Sequence, residues 1–244
     1  MKLKKCPIVR HKKINEDVFQ LVLECPTDWV EKSGKFVDVQ VIGKSLRRPI
    51  SLTDWDENSI TLTIKKAGEG TNLLSEMKQG ELEVLLDLGN GFDLSYFKKD
   101  LLVVGGGIGC APLIGCIKEA KQCGLDVKVI FGFRNKEQTL FKEELEELDV
   151  DYVFAYDDEN ENVITKMKEM KWDDLPFVTC GPLVMMKKLC EENTQSGLVS
   201  LETRMGCGFG ACMGCSFKTK EGMKRICKEG PVFKKEEILW ENLM

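Results

Sequence analysis

The chain has 244 residues, and its 43% hydrophobic and 31% charged content is the mix of an ordinary globular protein with material for one large or two smaller domains. With 35 Lys plus Arg against 40 Asp plus Glu, the net charge of −5 argues against a nucleic-acid-binding role, which leaves a basic footprint. No apolar run approaches the roughly 18 to 20 residues that a bilayer crossing needs, and no signal-peptide core follows the basic opening MKLKKCPIVRHKK. The expectation is a cytoplasmic protein with no membrane and no nucleic-acid partner.

From residue 1 to 97, short apolar runs alternate like strands: VFQLVLEC, KFVDVQVI, SITLTIKK and ELEVLLDL. Turn residues separate them at fairly regular spacing, which predicts an antiparallel barrel or sandwich. GEGTNLLSEMKQG inside this region predicts a short helix entered through glycines. The one histidine, His11, is expected on an exposed strand and leaves no basis for a His-centred triad.

At residue 98 the pattern changes. LLVVGGGIGCAPLIGCIKEAKQCG predicts an apolar strand, a glycine turn and a helix beginning near Pro112. Strands then alternate with helices through DVKVIFGFR, EQTLFKEELEEL, DYVFAYDD, NVITKMKEM, PFVTCG, PLVMMKKLCEE and LVSLE, ending near residue 203. That alternation predicts a parallel α/β sheet with covering helices. In its first turn, Gly105, Gly106, Gly107 and Gly109 present backbone amides and a helix N-terminus where a phosphate can bind. A glycine turn chosen only for tight packing would look the same, and the spacing misses the usual dinucleotide fingerprint.

Residues 204–244 hold four of the eleven cysteines, Cys207, Cys212, Cys215 and Cys227, with the pieces CSFKT and MKRIC expected as short strands. An odd cysteine count and no export signal make a disulfide framework a poor explanation. The other seven cysteines are scattered beside apolar residues and are expected mostly as core packing. The spacing C-x4-C-x2-C-x11-C begins like the plant-type 2Fe–2S loop. A four-cysteine zinc site is the competitor, although zinc sites usually present two separated knuckles.

The G-G-x-G-x-x-P turn resembles that of the ferredoxin-reductase-like flavoproteins, a family with a flavin-binding barrel ahead of the nucleotide domain. The R-P-x-S motif of that family has its counterpart in Arg48, Pro49, Ile50 and Ser51. An Arg fork suits a pyrophosphate, and a hydroxyl can bond the polar edge of a flavin. The resemblance adds Thr63, Ile64 and Lys65 to the flavin site. Gly70 and Thr71, in KAGEGT, could hold the same pyrophosphate through amides and a capping hydroxyl. Arg134 at the end of FGFR, and Cys180, Gly181 and Pro182 in TCGP, match the family's nucleotide site, the last three beside the nicotinamide. No catalytic side chain is expected, because the hydride goes to the flavin. With a flavin and a nucleotide site upstream, zinc has no part in the chemistry, and the cysteines are expected to be the ligands of a 2Fe–2S cluster.

Taken in order, RRPISL, GEGT, GGGIGCAPL, GFR, CGP, LETRMGCGFGACMGCSFKT and RICKEGPVF make the whole chain similar to the electron-transfer subunits of type B, NAD-dependent dihydroorotate dehydrogenase. The resemblance implies three regions: a 1–97 FAD barrel, a 98–203 NAD-binding α/β domain and a 204–244 2Fe–2S domain. It implies a relay in pyrimidine (UMP) biosynthesis between NAD, FAD, the cluster and the FMN of a separate dihydroorotate dehydrogenase catalytic subunit, in a heterotetramer of two copies of each chain. The rival expectations are a ferredoxin:NADP transhydrogenase or sulfide dehydrogenase subunit, and a zinc-stabilised binding module with no enzymatic role.

Overall fold

The computed structural model describes residues 1–243; Met244, the end of the expected third region, lies outside them. Seven strands make the first sheet: β1 (Lys2–Lys13), β2 (Val18–Glu24), β3 (Phe36–Val39), β4 (Arg48–Ser51), β5 (Asp54–Trp55), β6 (Ser59–Lys65) and β7 (Glu81–Leu88). Their order is β4-β3-β7-β1-β2-β6-β5, all antiparallel. The two ends of that order, β4 and β5, are separated in the chain only by Leu52 and Thr53, so the sheet must curl back on itself. Its interior is filled by Phe19, Leu21, Leu23, Val37, Val39, Leu62 and their neighbours.

The strand expected at His11 is β1, whose full length and double pairing its lysines masked in the sequence. It pairs with β7 through Lys2–Pro7 and with β2 from Ile8 to Lys13, with an irregularity between Ile8 and Arg10. The change of partner comes at Pro7, a residue that has no N–H to give. His11 lies on this strand but is half-buried, stacked on Phe19 and 2.9 Å from the Ser75 carbonyl. The expected short helix is α1 (Glu69–Glu76).

The second sheet runs β10 (Asp151–Tyr156), β9 (Asp126–Phe133), β8 (Asp100–Gly106), β11 (Phe177–Cys180), β12 (Gly197–Ser200) and β15 (Val232–Lys234). The first five are parallel, and β15 closes the edge antiparallel to β12. Alternate residues of β8 enter opposite cores. Leu101 and Val103 pack under α2 (Ala111–Gln122), while Leu102 and Val104 pack with Val163 and Met167 of α4 (Val163–Glu169) and Leu189 of α5 (Leu183–Glu192). Burial on both faces explains why these strands appear as unbroken apolar runs.

The helix expected across EQTLFKEELEEL is broken. A 3-10 turn covers Lys136–Gln138, and α3 spans only Lys142–Glu147. Between them Phe141 takes a left-handed conformation (φ 66°) and buries its ring with Leu140 in the core, so tertiary packing overrides local propensity. Of the seven scattered cysteines, Cys6, Cys25, Cys110, Cys116 and Cys180 are buried as expected, whereas Cys123 is exposed. Among the described residues no helix is long and apolar enough to cross a membrane.

The three regions pack directly. Gly115 of α2 brings its backbone against Trp55, with Lys118 paired to Asp54 and the Ser33 amide donating to Glu119 at 2.7 Å. A further apolar cluster joins Phe36, Leu85 and Leu88 of the barrel to Met186 of α5 and Val199 of the second sheet. Phe217, Ile226, Cys215 and Cys227 complete it from the C-terminal region. There the hairpin β13 (Ser216–Thr219) and β14 (Gly222–Arg225) takes up the two expected short strands.

Candidate functional site

The second sheet has chain order 3-2-1-4-5 across its parallel strands, so its switch point lies between β8 and β11. Ligands of open α/β sheets bind outside the carboxyl ends of the strands at such a point. The glycine turn ends β8 and the Cys180–Gly181–Pro182 turn ends β11, one on each side of it. They interlock: a side chain on Gly109 would come within 2.6 Å of the Gly181 Cα and 2.7 Å of the Cys180 carbonyl. Gly107, at φ +55°, has nothing within 4 Å of where a Cβ would stand and opens toward a cleft.

That cleft, about 940 Å³, is lined by Gly106, Gly107, Gly109, Arg134, Gly181 and Pro182. It also takes in residues that no motif suggested, among them Gln138, Asp157, Lys168 and Lys188. Two sequence candidates stay behind its wall. Gly105 is packed against Cys110, Phe131 and Leu113, and Cys180 is fully buried. Burial pushes the Cys180 thiol well above its ordinary value, with the nearby Glu202 carboxylate adding to the shift.

A second cleft of about 280 Å³ lies between barrel and α/β region. Arg48, Pro49, Ile50, Ser51, Thr63, Ile64, Lys65, Thr71 and Pro112 line it, so the RPIS and GEGT segments and the start of α2 meet at one cleft. Gly70 abuts the same wall, since a Cβ there would overlap the Arg48 guanidinium. The Nη1 of Arg48 is taken by the Leu46 and Arg47 carbonyls (2.6 and 3.2 Å), which leaves its Nε and Nη2 edge over the Gly70 turn. The Thr71 hydroxyl accepts from the Ala67 amide at 2.8 Å and donates to the Gly68 carbonyl at 3.0 Å, which fixes the turn that sets it on the cleft wall.

The two clefts share Lys65, Ile108 and Glu202. Glu202 is exposed on the walls of both open clefts, with protein packed around it. Its carboxyl is raised by burial, with the Cys180 thiol (Sγ to Oε1 3.7 Å) working against that. Sequence reasoning missed it, although its place just beyond the end of β12 is where the strand-end rule directs attention.

Beyond Met205, which lines the smaller cleft, the cysteine loop begins. The Ala211 and Cys212 amides point at the Cys207 sulfur (3.2 and 3.4 Å), and the Gly214 amide points at that of Cys212 (3.4 Å). For Cys207 the cost of burial is outweighed by the amides of Cys212, Phe209 and Ala211, which bring the thiol down to about 6. The sulfurs of Cys215 and Cys227 lie 3.2 Å apart, and burial together with that neighbour pushes Cys227 up to about 12. The four thiols thus form two pairs, and among the described residues no three metal-binding side chains converge on one point. Gly208, Gly210 and Met213 all have positive φ, and Arg225 pins the loop by donating to the Gly210 carbonyl at 2.7 Å while its main chain and side chain bond Glu229. Below the loop lies Asp38, whose carboxyl is raised to about 6 by burial, with Arg47 opposing and the Cys207 thiol reinforcing the shift.

Residues 202–239 match the model of the iron-sulfur cluster binding domain of dihydroorotate dehydrogenase B, and residues 103–191 match the oxidoreductase NAD-binding domain. The dihydroorotate dehydrogenase B (NAD(+)) electron transfer subunit of Geobacillus sp. (strain WCH70) is 35% identical, covering 98% of this chain and 99% of its own. That of Fusobacterium nucleatum is 32% identical with the same coverage. Among solved structures, a chain of the NADH-dependent reduced ferredoxin–NADP oxidoreductase superposes with a TM-score of 0.87 at 29% identity, over 98% of this chain and 91% of that one. Phthalate dioxygenase reductase shares the fold at a TM-score of 0.66 and 18% identity, over 95% of this chain and 76% of that one. With cleft, cleft and cysteine loop in the same order as their motifs, and relatives matched end to end, the chain belongs to the family of dihydroorotate dehydrogenase B electron transfer subunits.

Proposed function

We propose that this chain relays electrons between NAD and the catalytic subunit of a dihydroorotate dehydrogenase, in pyrimidine biosynthesis. One observation carries the reading: the nucleotide-type cleft shares a wall with the barrel cleft, which in turn runs through Met205 to the cysteine loop. When bound, NAD, FAD and a 2Fe–2S cluster supply hydride exchange, the division of an electron pair and single-electron carriage.

The residues fit these groups. Gly107 and Gly109 bare the amides at the start of α2 for a dinucleotide phosphate, and Gly181 and Pro182 form the opposite rim. Arg48 and the Gly70 turn at the start of α1 suit a pyrophosphate, with Ser51 and Lys65 nearer the shared wall. At about 280 Å³ the barrel cleft is near the lower limit of small-molecule pockets and suits a ring system, while the larger cleft, about 940 Å³, is near the upper limit. The thiol pairs Cys207 with Cys212 and Cys215 with Cys227 offer two ligands to each of two irons, which favours a dinuclear cluster over a single zinc. Loop amides directed at sulfur offset the negative charge that such ligands accumulate.

Net flow runs from dihydroorotate toward NAD. The partner in this reading is an FMN-containing catalytic subunit, two copies of each chain assembling in the cytoplasm. Relatives 32–35% identical over almost their full length favour this partner over the ferredoxin–NADP reading. Purified alone, the chain should pass electrons from NADH to an artificial dye and make no orotate from dihydroorotate. Adding an FMN-containing dihydroorotate dehydrogenase subunit should restore NAD-dependent orotate formation. Orotate made by the isolated chain, or no turnover with any such subunit, would refute the assignment.

A further inference from the structure

In β3, Val37 and Val39 point into the barrel core, so Phe36 and Asp38 face outward. An outward aspartate on a barrel strand is ordinarily wet. Here the cysteine loop covers it, and Asp38 is 2% exposed. Gly208 lies directly over the carboxylate, and a side chain there would overlap its Oδ2. On the strand ladder Asp38 stands opposite Pro49 on one side and Leu85 on the other, neither of which has a polar side chain. Its Oδ1 has no hydrogen-bond partner among the described residues.

The nearby cations do not take it either. Arg47 is committed to Glu83 through the carboxylate and the carbonyl, and Arg48 turns its Nη1 to the Leu46 and Arg47 carbonyls. A buried carboxylate without a bonding partner is costly. This one lies between the Arg48–Ser51 strand of the flavin cleft and the turn that carries Cys207.

We propose that Asp38 sets the reduction potential of the cluster: its carboxylate, pressed beneath Gly208, opposes the arrival of an electron and holds the centre at low potential. The physical basis is Coulombic. Net charge close to an iron-sulfur centre is one of the protein's controls on its potential, and a fixed like charge in a poorly hydrated site acts more strongly than one in water. The inference rests on the cluster assignment made above.

Asp38→Asn keeps the shape and removes the charge. In the full chain loaded with flavin and cluster, a potentiometric titration followed by the EPR signal of the reduced centre should show a higher midpoint. About tenfold more reduced over oxidised cluster is expected at the wild-type midpoint potential, which is about 59 mV for a one-electron couple. Asp38→Ser, smaller and also neutral, should move the midpoint in the same direction, separating charge from packing. An unchanged or lower midpoint in either variant overturns the proposal. Loss of the cluster from both, with flavin retained, would make Asp38 a structural support of the loop and overturn it as well. Wild-type protein that holds no iron or sulfide would remove the cluster assignment itself, and this inference with it.

Discussion

Two glycine-rich turns, 105–109 and 206–214, look alike on paper and differ in what their missing side chains make room for. In the first, protein fills the space at every glycine but Gly107: Gly105 meets Cys110, Gly106 meets Pro182 and Met185, and Gly109 meets the backbone of Gly181. In the second, Gly208 and Gly210 also meet protein, at Asp38 and Lys228, but Gly206 and Gly214 have only the Cys212 sulfur nearby, at 3.2 and 3.5 Å. A glycine can therefore let two pieces of backbone interlock, or keep clear the surroundings of a ligand-bearing atom. Gly70 is intermediate, because its missing side chain makes room for the Arg48 guanidinium.

The largest effect should come at that intermediate case. Arg48→Ala removes a charge-assisted contact of about 1.5–3 kcal/mol, equivalent to a roughly tenfold to more than hundredfold loss of FAD affinity. The flavin dissociation constant measures it, and an unchanged value would reduce the motif to a turn. The two loops themselves should respond in opposite ways. Gly109→Ala forces backbone apart and should cost about 1–3 kcal/mol of stability, with weaker NADH binding seen by calorimetry. Gly206→Ala should leave global stability within about 0.5 kcal/mol and instead lower iron and sulfide content, since its methyl group crowds Cys212. Equal thermal shifts in the two variants would erase the distinction.

The smallest effect lies away from both loops. Glu192 is held down to about 2 by Lys168 and then Lys188. A carboxyl lowered in the folded state stabilises above its unfolded value near 4.5, and that contribution is lost as pH falls toward 2. Thermal unfolding from pH 5 to pH 2 should therefore show a slightly shallower decline in Glu192→Gln. The pair is partly exposed, so the difference should be small.

Much of this architecture was legible because it rests on local pattern. Alternating and continuous apolar runs revealed most strands, and Pro112 marked the start of α2 to within one residue. The failures share a cause. The strand β1 carries Lys2, Lys4 and Lys5, which break the apolar alternation and mask its pairing, and Phe141 breaks a plausible helix only because a core is available to receive its ring. Asp38 and Glu202 could not be ranked from sequence, since each gains its setting from a region distant in the chain.

The antiparallel pairing of β12 with β15 sets Ser200 beside Val232, so everything from 201 to 231 leaves and rejoins one sheet edge at neighbouring strands, about 4.8 Å apart. In topological terms the cysteine region is an insertion at a hairpin, and a short turn could close the gap. Energetically it is not separable. Asn90 of the barrel bonds the Val232 amide and carbonyl (3.1 and 2.8 Å) and the Glu229 carbonyl (3.1 Å), while the underside of the insertion covers Phe36 and Leu85. Excision would preserve strand order and uncover an apolar barrel face. A region that the topology would let be cut out is thus held in place by the apolar barrel face it covers.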